Sequence, residues 1–315
     1  MKPPLAIPGW ARLAAALLLA MAGTAAPGFD LAVTVDDLPV HGALPPGVTR
    51  LAVAEAHLRA FKDAGVTQAW GFVNARGAEA EGDAVLGAWR RAGHPLGNHT
   101  YSHMNLGRAA SLQAWQADVE AGEALVAQHM AGADWRWFRY PHLSVGEGER
   151  REAARAFLKA RGYRVADVSL AFSDWDYTDA HARCKAAGDE AAVARMTAHY
   201  LAGVDAGIAQ ALADSRAVFG REIPLVLLTH LGAFSAQTLP EVLRRLSAAG
   251  AKFVTLEQAQ ADEAYARFGG GHLIVREARA RGVPLAARPA VQALDLKALC
   301  TGAAPKPGDA PKDTP

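Results

Sequence analysis

The chain has 315 residues, a formal net charge of +1 and a hydrophobic content of 51%, enough to bury a large core as one big α/β domain or two smaller ones. Basic and acidic residues are interspersed without a basic stripe, so nucleic acid is not an expected partner. Beyond the N-terminus no apolar run is long enough to span a bilayer.

The N-terminus reads as a targeting segment. Lys2 and Arg12 precede an apolar run from Leu13 to Ala22, and Gly23, Thr24, Ala25 and Ala26 follow. That order predicts a secretory signal peptide over residues 1–25, cleaved after Ala25. A retained anchor helix is the rival reading, and the shortness of the apolar run favours removal. An exported chain, periplasmic or secreted, would keep no membrane span. Its two cysteines, Cys184 and Cys300, would then sit in an oxidising compartment, either paired or as two buried free thiols.

The apolar run from Phe29 to Val35 reads as a buried strand that ends in two adjacent carboxylates, Asp36 and Asp37. A strand end gains nothing structural from two charges that are costly to desolvate. Such a pair also caps turns and helices. Further along stand His99 and His103, a spacing that is weak evidence alone. Together, one carboxylate and two imidazoles fill three positions of a tetrahedral zinc-type site, leaving one for water. The second carboxylate is then available as a base.

Thr49 to Ala64 carries helical periodicity, with Thr49 as N-cap and Gly65 as C-cap. Gln68 to Val73 reads as a strand, Asp83 to Ala92 as a helix, and Pro95 to Gly97 as an extended piece that delivers His99. Ser111 to Met130 reads as a long helix with Ser111 as its cap. Trp135 to Arg139 is the next strand, Glu149 to Arg161 a helix, and Arg164 to Val168 a strand. Ala186 to Leu212 is helical with a break expected at Gly203. Pro224 to Leu228 is a strand running into Thr229 and His230, Leu239 to Ala249 a helix, and Lys252 to Thr255 a strand. Strands alternating with helices predict parallel pairing, hence an α/β layer fold or barrel. Asp36, Asp37, Arg139 and His230 all follow the C-terminal ends of strands, the edge where such folds build sites. Beyond Glu263, Gly269–Gly271 reads as a flexible hinge and Leu273 to Arg281 as a charged helix. Residues 263–300 form a C-terminal extension, and 301–315 a disordered tail.

Five motifs occur in order: Thr-Val-Asp-Asp at Thr34, His-Thr-Tyr-Ser-His at His99, Arg-Tyr-Pro-His at Arg139, Ser-Asp-Trp at Ser173, and Leu-Leu-Thr-His ending at His230. Over roughly Phe29 to Gln258 the chain resembles the polysaccharide deacetylases, the NodB-homology group or carbohydrate esterase family 4. The resemblance implies an α/β fold, a distorted (β/α) barrel, over residues 26–262. It implies one divalent metal ion, zinc or else cobalt, and removal of acetyl groups from N-acetylated sugars; the alternatives are an O-acetyl esterase or other amide hydrolase with the same centre, or a non-catalytic metal-containing carbohydrate-binding protein. It further implies Asp37, His99 and His103 as metal ligands, Asp36 as catalytic base and Arg139 as its holder. His230 is the implied general acid, contacted by Asp174, with His142, Trp175 and Leu228 at the substrate.

Departures mark a divergent branch. Val35 stands where the family usually has Phe, Leu38 where it has Gly, and His142 where it has Tyr. Ala171 occupies the place of the fourth motif's first Asp, and Asp176 is an alternative to Asp174. Among the other histidines His41 is singled out, because it follows the Asp pair closely.

Overall fold

The computed structural model of the chain describes residues 28–78, 80–287 and 293–302. The expected signal peptide and nearly all of the expected tail lie outside the described residues. Among the described residues no helix is long and apolar enough to cross a membrane.

One sheet organises the molecule. Its strands are β1 (Phe29–Leu38), β2 (Ala69–Val73), β3 (Leu96–Asn98), β4 (Trp137–Phe138), β5 (Arg164–Val165), β6 (Leu170–Ala171), β7 (Leu225–His230) and β8 (Ala251–Val254). The order is β5-β4-β3-β2-β1-β7-β6, with β8 pairing β1, and every strand pair is parallel. Around it run α1 (Arg50–Ala64), α2 (Ala80–Arg91), α3 (Leu112–His129), α4 (Gly148–Ala160), α5 (Thr178–Ala186), α6 (Glu190–Phe219), α7 (Ala233–Ala248), α8 (Leu256–Gln260) and α9 (Leu273–Arg281). The result is the expected distorted α/β barrel, a curved parallel sheet ringed by helices.

β1 lies at the centre because it can be buried on both faces. Leu31, Ala32, Val33 and Val35 are fully or almost fully shielded, as a strand covered by helices on both sides requires. Residues 31–36 of β1 pair with β7, while 33–38 pair with β2 and 29–32 with β8. Local signals set the helix ends. The Thr49 hydroxyl accepts from Ala52 N–H at 3.1 Å, the Ser111 hydroxyl accepts from Ala114 N–H at 3.0 Å, and Gly65 ends α1 in the left-handed region at φ 75°.

Three expectations need correction. The break at Gly203 does not occur: α6 is one helix of 30 residues capped by Gly220, and Thr178–Ala186 is a separate helix before it. Val204 and Ile208 keep a buried stripe across the glycine, so packing offsets its low propensity. α7 begins at Ala233, ahead of Pro240, where the sequence points to a start. The Ser235 hydroxyl holds the Gly232 turn, and Phe234 stacks on Tyr177 with ring centroids 4.8 Å apart. Third, Gly269–Gly271 is no hinge. All three glycines are buried, Gly270 N–H donates to Asp167 Oδ1 at 2.8 Å, and Val168 N–H donates to Gly271 O at 3.0 Å. Gly270 has φ +89°, and a Cβ there would lie 2.6 Å from the Tyr140 ring. The glycine is required by close approach rather than by motion.

That segment fills the seam between β5 and β6. Val168 bridges His272, and Leu273 N–H donates to Val168 O at 2.7 Å. The buried Asp167 pairs with Arg276 at 2.6 Å. Further along, Leu294, Leu296 and Leu299 pack on the core, and Arg183 donates to Leu296 O at 2.8 Å. Cys184 and Cys300 form a disulfide.

Candidate metal and acid–base centre

The centre forms where β1 ends. In a regular strand adjacent side chains face opposite sides, so Asp36 and Asp37 would not share a cavity. The pairing of β1 with β2 slips between Val35 and Leu38, and Asp37 takes a left-handed φ of 64°. Aspartate tolerates that conformation better than most residues. The irregularity turns both carboxylates toward the same site, as a bulge re-aims a side chain.

The two histidines come from the turn after β3. Asn98 fixes that turn: its Oδ1 accepts from Thr100 N–H at 2.8 Å, and its Nδ2 donates to Val119 O at 2.9 Å. Thr100 and His103 both have positive φ, so the His-x-x-x-His spacing is closed by a tight turn and not by a helix. Asp118 of α3 braces it through Tyr101 N–H to its carbonyl at 2.9 Å and Ser102 N–H to its Oδ2 at 3.1 Å.

Asp37, His99 and His103 converge, with one ligand atom from each within 4.8 Å of the others. Asp37 Oδ1 lies 3.5 Å from His99 Nε2 and 3.4 Å from His103 Nε2, yet it is buried and has no hydrogen-bond partner. A shielded carboxylate oxygen without a donor is costly. A divalent cation among the three atoms would satisfy it, and an oxygen-plus-two-imidazole set suits zinc or a similar ion. His99 Nδ1 donates to Arg139 O at 2.7 Å, which leaves Nε2 as the free lone pair on the site side. Burial lowers the pKa of both rings to about 4, so both are neutral near pH 7, as metal ligation requires. Burial pushes Asp37 upward, but the His41 hydrogen bond and, in acid where their rings are protonated, His99 and His103 hold it well below the ordinary carboxylate range.

Asp36 stands beside this group, its Oδ2 3.7 Å from His99 Nε2. Arg139, at the end of β4 and fully buried, donates from Nη1 to Asp36 Oδ1 and Oδ2 at 3.2 and 3.3 Å. Its Nη2 donates to Thr34 Oγ1 at 2.9 Å and its Nε to Ala166 O at 2.9 Å. Burial raises Asp36 to about 6, against the lowering effect of Arg139.

Opposite stands His230. The β1–β7 register makes Asp36 and His230 direct partners, which puts their side chains on the same face. Asp174, in a 3-10 turn at Asp174–Tyr177, accepts from His230 Nδ1 at 3.0 Å, from His230 N–H at 2.8 Å and from Thr229 Oγ1 at 2.8 Å. Burial lowers the His230 pKa, but Asp174 outweighs it and the net value rises to about 9. Asp176 is exposed, so Asp174 is the partner of the two alternatives.

The expected substrate residues are distributed less tightly. His142 has φ 57° and is exposed, with its ring centroid 4.4 Å from that of His103. Leu228 is buried in β7 beside Thr34 of β1, and Trp175 is half exposed on the turn that carries Asp174. His41, given no role from the sequence, enters the centre. Its Nδ1 lies 2.6 Å from Asp37 Oδ2 and its ring centroid 4.8 Å from that of His230. Proximity to the Asp pair was the only sequence signal for it.

Residues 24–166 match the family model described as polysaccharide deacetylase. No curated protein matches the sequence. Among solved structures, a point mutant of the peptidoglycan deacetylase PdaC from Bacillus subtilis aligns at 17% identity and a TM-score of 0.50, covering 81% of this chain and 95% of that one. A carbohydrate esterase family 4 pseudoenzyme from Bacillus anthracis aligns at 15% identity and a TM-score of 0.50, covering 75% and 69%. A family 4 carbohydrate esterase from Streptomyces lividans, solved with acetate, aligns at 17% identity and a TM-score of 0.47, covering 74% and 97%. The first two share the fold with this chain.

Proposed function

We propose that this chain, which belongs to the polysaccharide deacetylase family, is a metal-dependent hydrolase that removes N-acetyl groups from an N-acetylhexosamine polymer or oligomer. The observation that carries the proposal is Asp37 Oδ1, buried without a partner between His99 Nε2 and His103 Nε2. An acid and a base that a purely structural metal site would not need stand beside it.

Asp37, His99 and His103 hold the metal. When bound, a zinc-type ion lowers the pKa of water toward about 7 and polarises an acyl carbonyl. Asp36 takes the proton from the attacking water, and Arg139 keeps that carboxylate ionised and aimed. His230 gives a proton to the leaving amine, with Asp174 on Nδ1 directing the other ring nitrogen to the reaction. The exposed Trp175 and the His142 ring flank the approach of the sugar. Secretion past an N-terminal signal peptide fits the same reading, because the Cys184–Cys300 bridge suits an oxidising compartment.

Acetate release from chitooligosaccharides with added zinc or cobalt tests the proposal. Release that a chelator and Asp36→Ala each abolish is the expected result. Release from O-acetylated substrates alone moves the reading to an esterase using the same centre. Metal binding with no turnover on any acetylated glycan leaves a metal-containing binding protein, and the hydrolase reading fails.

A further inference from the structure

The near-neutral chain conceals a concentrated positive cleft. The fold brings Arg150, Arg151 and Arg155 of α4 to face Arg267, Arg276 and Arg279 around α9 across a cleft of about 900 Å³. Among the described residues only one carboxylate, Glu147, lines it. The two groups of arginines lie more than a hundred residues apart in sequence, which is why no basic stripe is visible there.

Carboxylates behind the wall neutralise part of this charge. Glu152 lies 3.1 Å from Arg151 and 3.0 Å from Arg155, Asp167 takes Arg276 at 2.6 Å, and the buried Glu277 lies 3.7 Å from Arg267 and 3.4 Å from Arg276. Two cations stay uncompensated. Arg150 Nη1 donates to the carbonyls of Leu106 and Ala109 at 3.3 and 3.0 Å, which positions the guanidinium without neutralising its charge. Arg279 is exposed and has no side-chain partner among the described residues. Arg155 Nε is buried without a hydrogen-bond partner among the described residues. Donors left unpaired in a cationic cleft are suited to an anionic acceptor.

The cleft adjoins the centre. Leu143 to Gly146 form one wall, and the residue before them, His142, sets its ring against His103. The Leu143–Gly146 loop follows the C-terminal end of β4, on the same edge of the sheet as Asp36 and Asp37. Among the described residues no Phe, Tyr or Trp lines the cleft. Single-stranded nucleic acid is held by aromatic stacking as well as by charge, so a glycan fits the lining better.

We infer that the arginine cleft binds the carboxylates of an anionic glycan, so that the substrate is an acidic N-acetylated polysaccharide and not a neutral one. The inference rests on the deacetylase reading for the identity of the polymer. Carboxylates on a sugar ring and on a pendant chain present the same chemistry to the arginines.

Calorimetric titration of the full chain tests it directly, without turnover. The probes are N-acetylchitopentaose, its carboxymethylated counterpart, a hyaluronan hexasaccharide and a muramyl-peptide oligosaccharide. The expected result is tighter binding of at least one acidic probe than of the neutral one, weakened about tenfold by Arg279→Glu and by raising salt from about 50 to about 500 mM. The ring-borne and pendant probes show which source is preferred. Arg150→Gln, which keeps a donor for the two carbonyls, should lower the same affinity, and circular dichroism checks folding. Equal binding of all probes, or an unchanged affinity in both variants, overturns the inference. So does a single-stranded oligonucleotide that displaces the acidic glycan. Acetate release measured alongside separates the two readings. Release without acidic preference sinks the cleft assignment alone, and selective binding without release from any probe sinks the deacetylase reading alone.

Discussion

His41 and Asp37 divide a carboxylate between two tasks. His41 Nδ1 takes Oδ2 at 2.6 Å, and Oδ1 is left facing His99 and His103. The backbone N–H of His41 donates to Leu231 O at 2.8 Å, so the imidazole is anchored to the strand end that carries His230. Asp37 is thereby oriented to offer one oxygen to a cation. Removing such a partner of a ligand typically costs about 10- to 100-fold in metal affinity. His41→Ala should show that loss in zinc titration against a chromophoric competitor. His41→Gln, which can still donate to Oδ2, should recover much of it. Equal affinities across the three proteins would show that the contact does not position the ligand.

The Asp36–Arg139 pair is structural and, in the proposed reading, also functional, and the two roles should separate in variants. Arg139 is fully buried with donors on Asp36, Thr34 and Ala166. Breaking a buried ion pair from one side costs about 3–5 kcal/mol. Arg139→Met should therefore lower the urea midpoint strongly. Asp36→Asn should keep the metal and lose at least about 100-fold in rate, the usual scale of a lost general base. His103→Ala should lose the metal itself. Plasma emission on purified proteins checks the split, which is wrong if both Asp36→Asn and His103→Ala come out empty.

The candidate ligand residues stand out in the sequence because charge at the end of an apolar strand has few structural uses. The register that makes Asp36 and His230 neighbours was not, since the pairing of β1 with β7 spans most of the chain. Nor was the slip that turns Asp36 and Asp37 to one side, because it depends on a local φ that aspartate allows but does not dictate. The short β6 at Leu170–Ala171 carries too little periodicity to be seen alone. Gly269–Gly271 misled for a related reason. Glycine signals freedom in a sequence, and here it serves the approach of backbone to the Tyr140 ring.

The Asp174–His230 contact sets a pH limit. A folded-state pKa of about 9 keeps His230 protonated at neutral pH, despite the opposing effect of burial. Its unfolded value is about 6.5, so the pair contributes its full stability below that pH and loses it as pH rises through about 9. The proposed acid function should be lost over the same alkaline range. Asp174→Asn removes the anion and should bring the alkaline limb of the rate profile down toward neutrality. Imidazole proton shifts on metal-free protein should show the same displacement without turnover. A limb that stays in place assigns it to some other group.

The Cys184–Cys300 bridge joins α5 to the far C-terminal segment across a sequence separation of 116 residues. A cross-link closing a loop of that length stabilises small domains by about 2–5 kcal/mol, mainly by restricting the unfolded chain. In this protein the segment also has non-covalent anchors: Arg183 donates to Leu296 O, and Leu294, Leu296 and Leu299 pack on the core. Reduction should therefore loosen the segment before it unfolds the barrel. Neither cysteine belongs to the Asp37, His99 and His103 group, so metal affinity should survive. Hydrogen exchange on Cys300→Ser should show lost protection in residues 293–302, with β1 and β7 unchanged. Loss of protection in those central strands would instead make the bridge a condition of the whole fold.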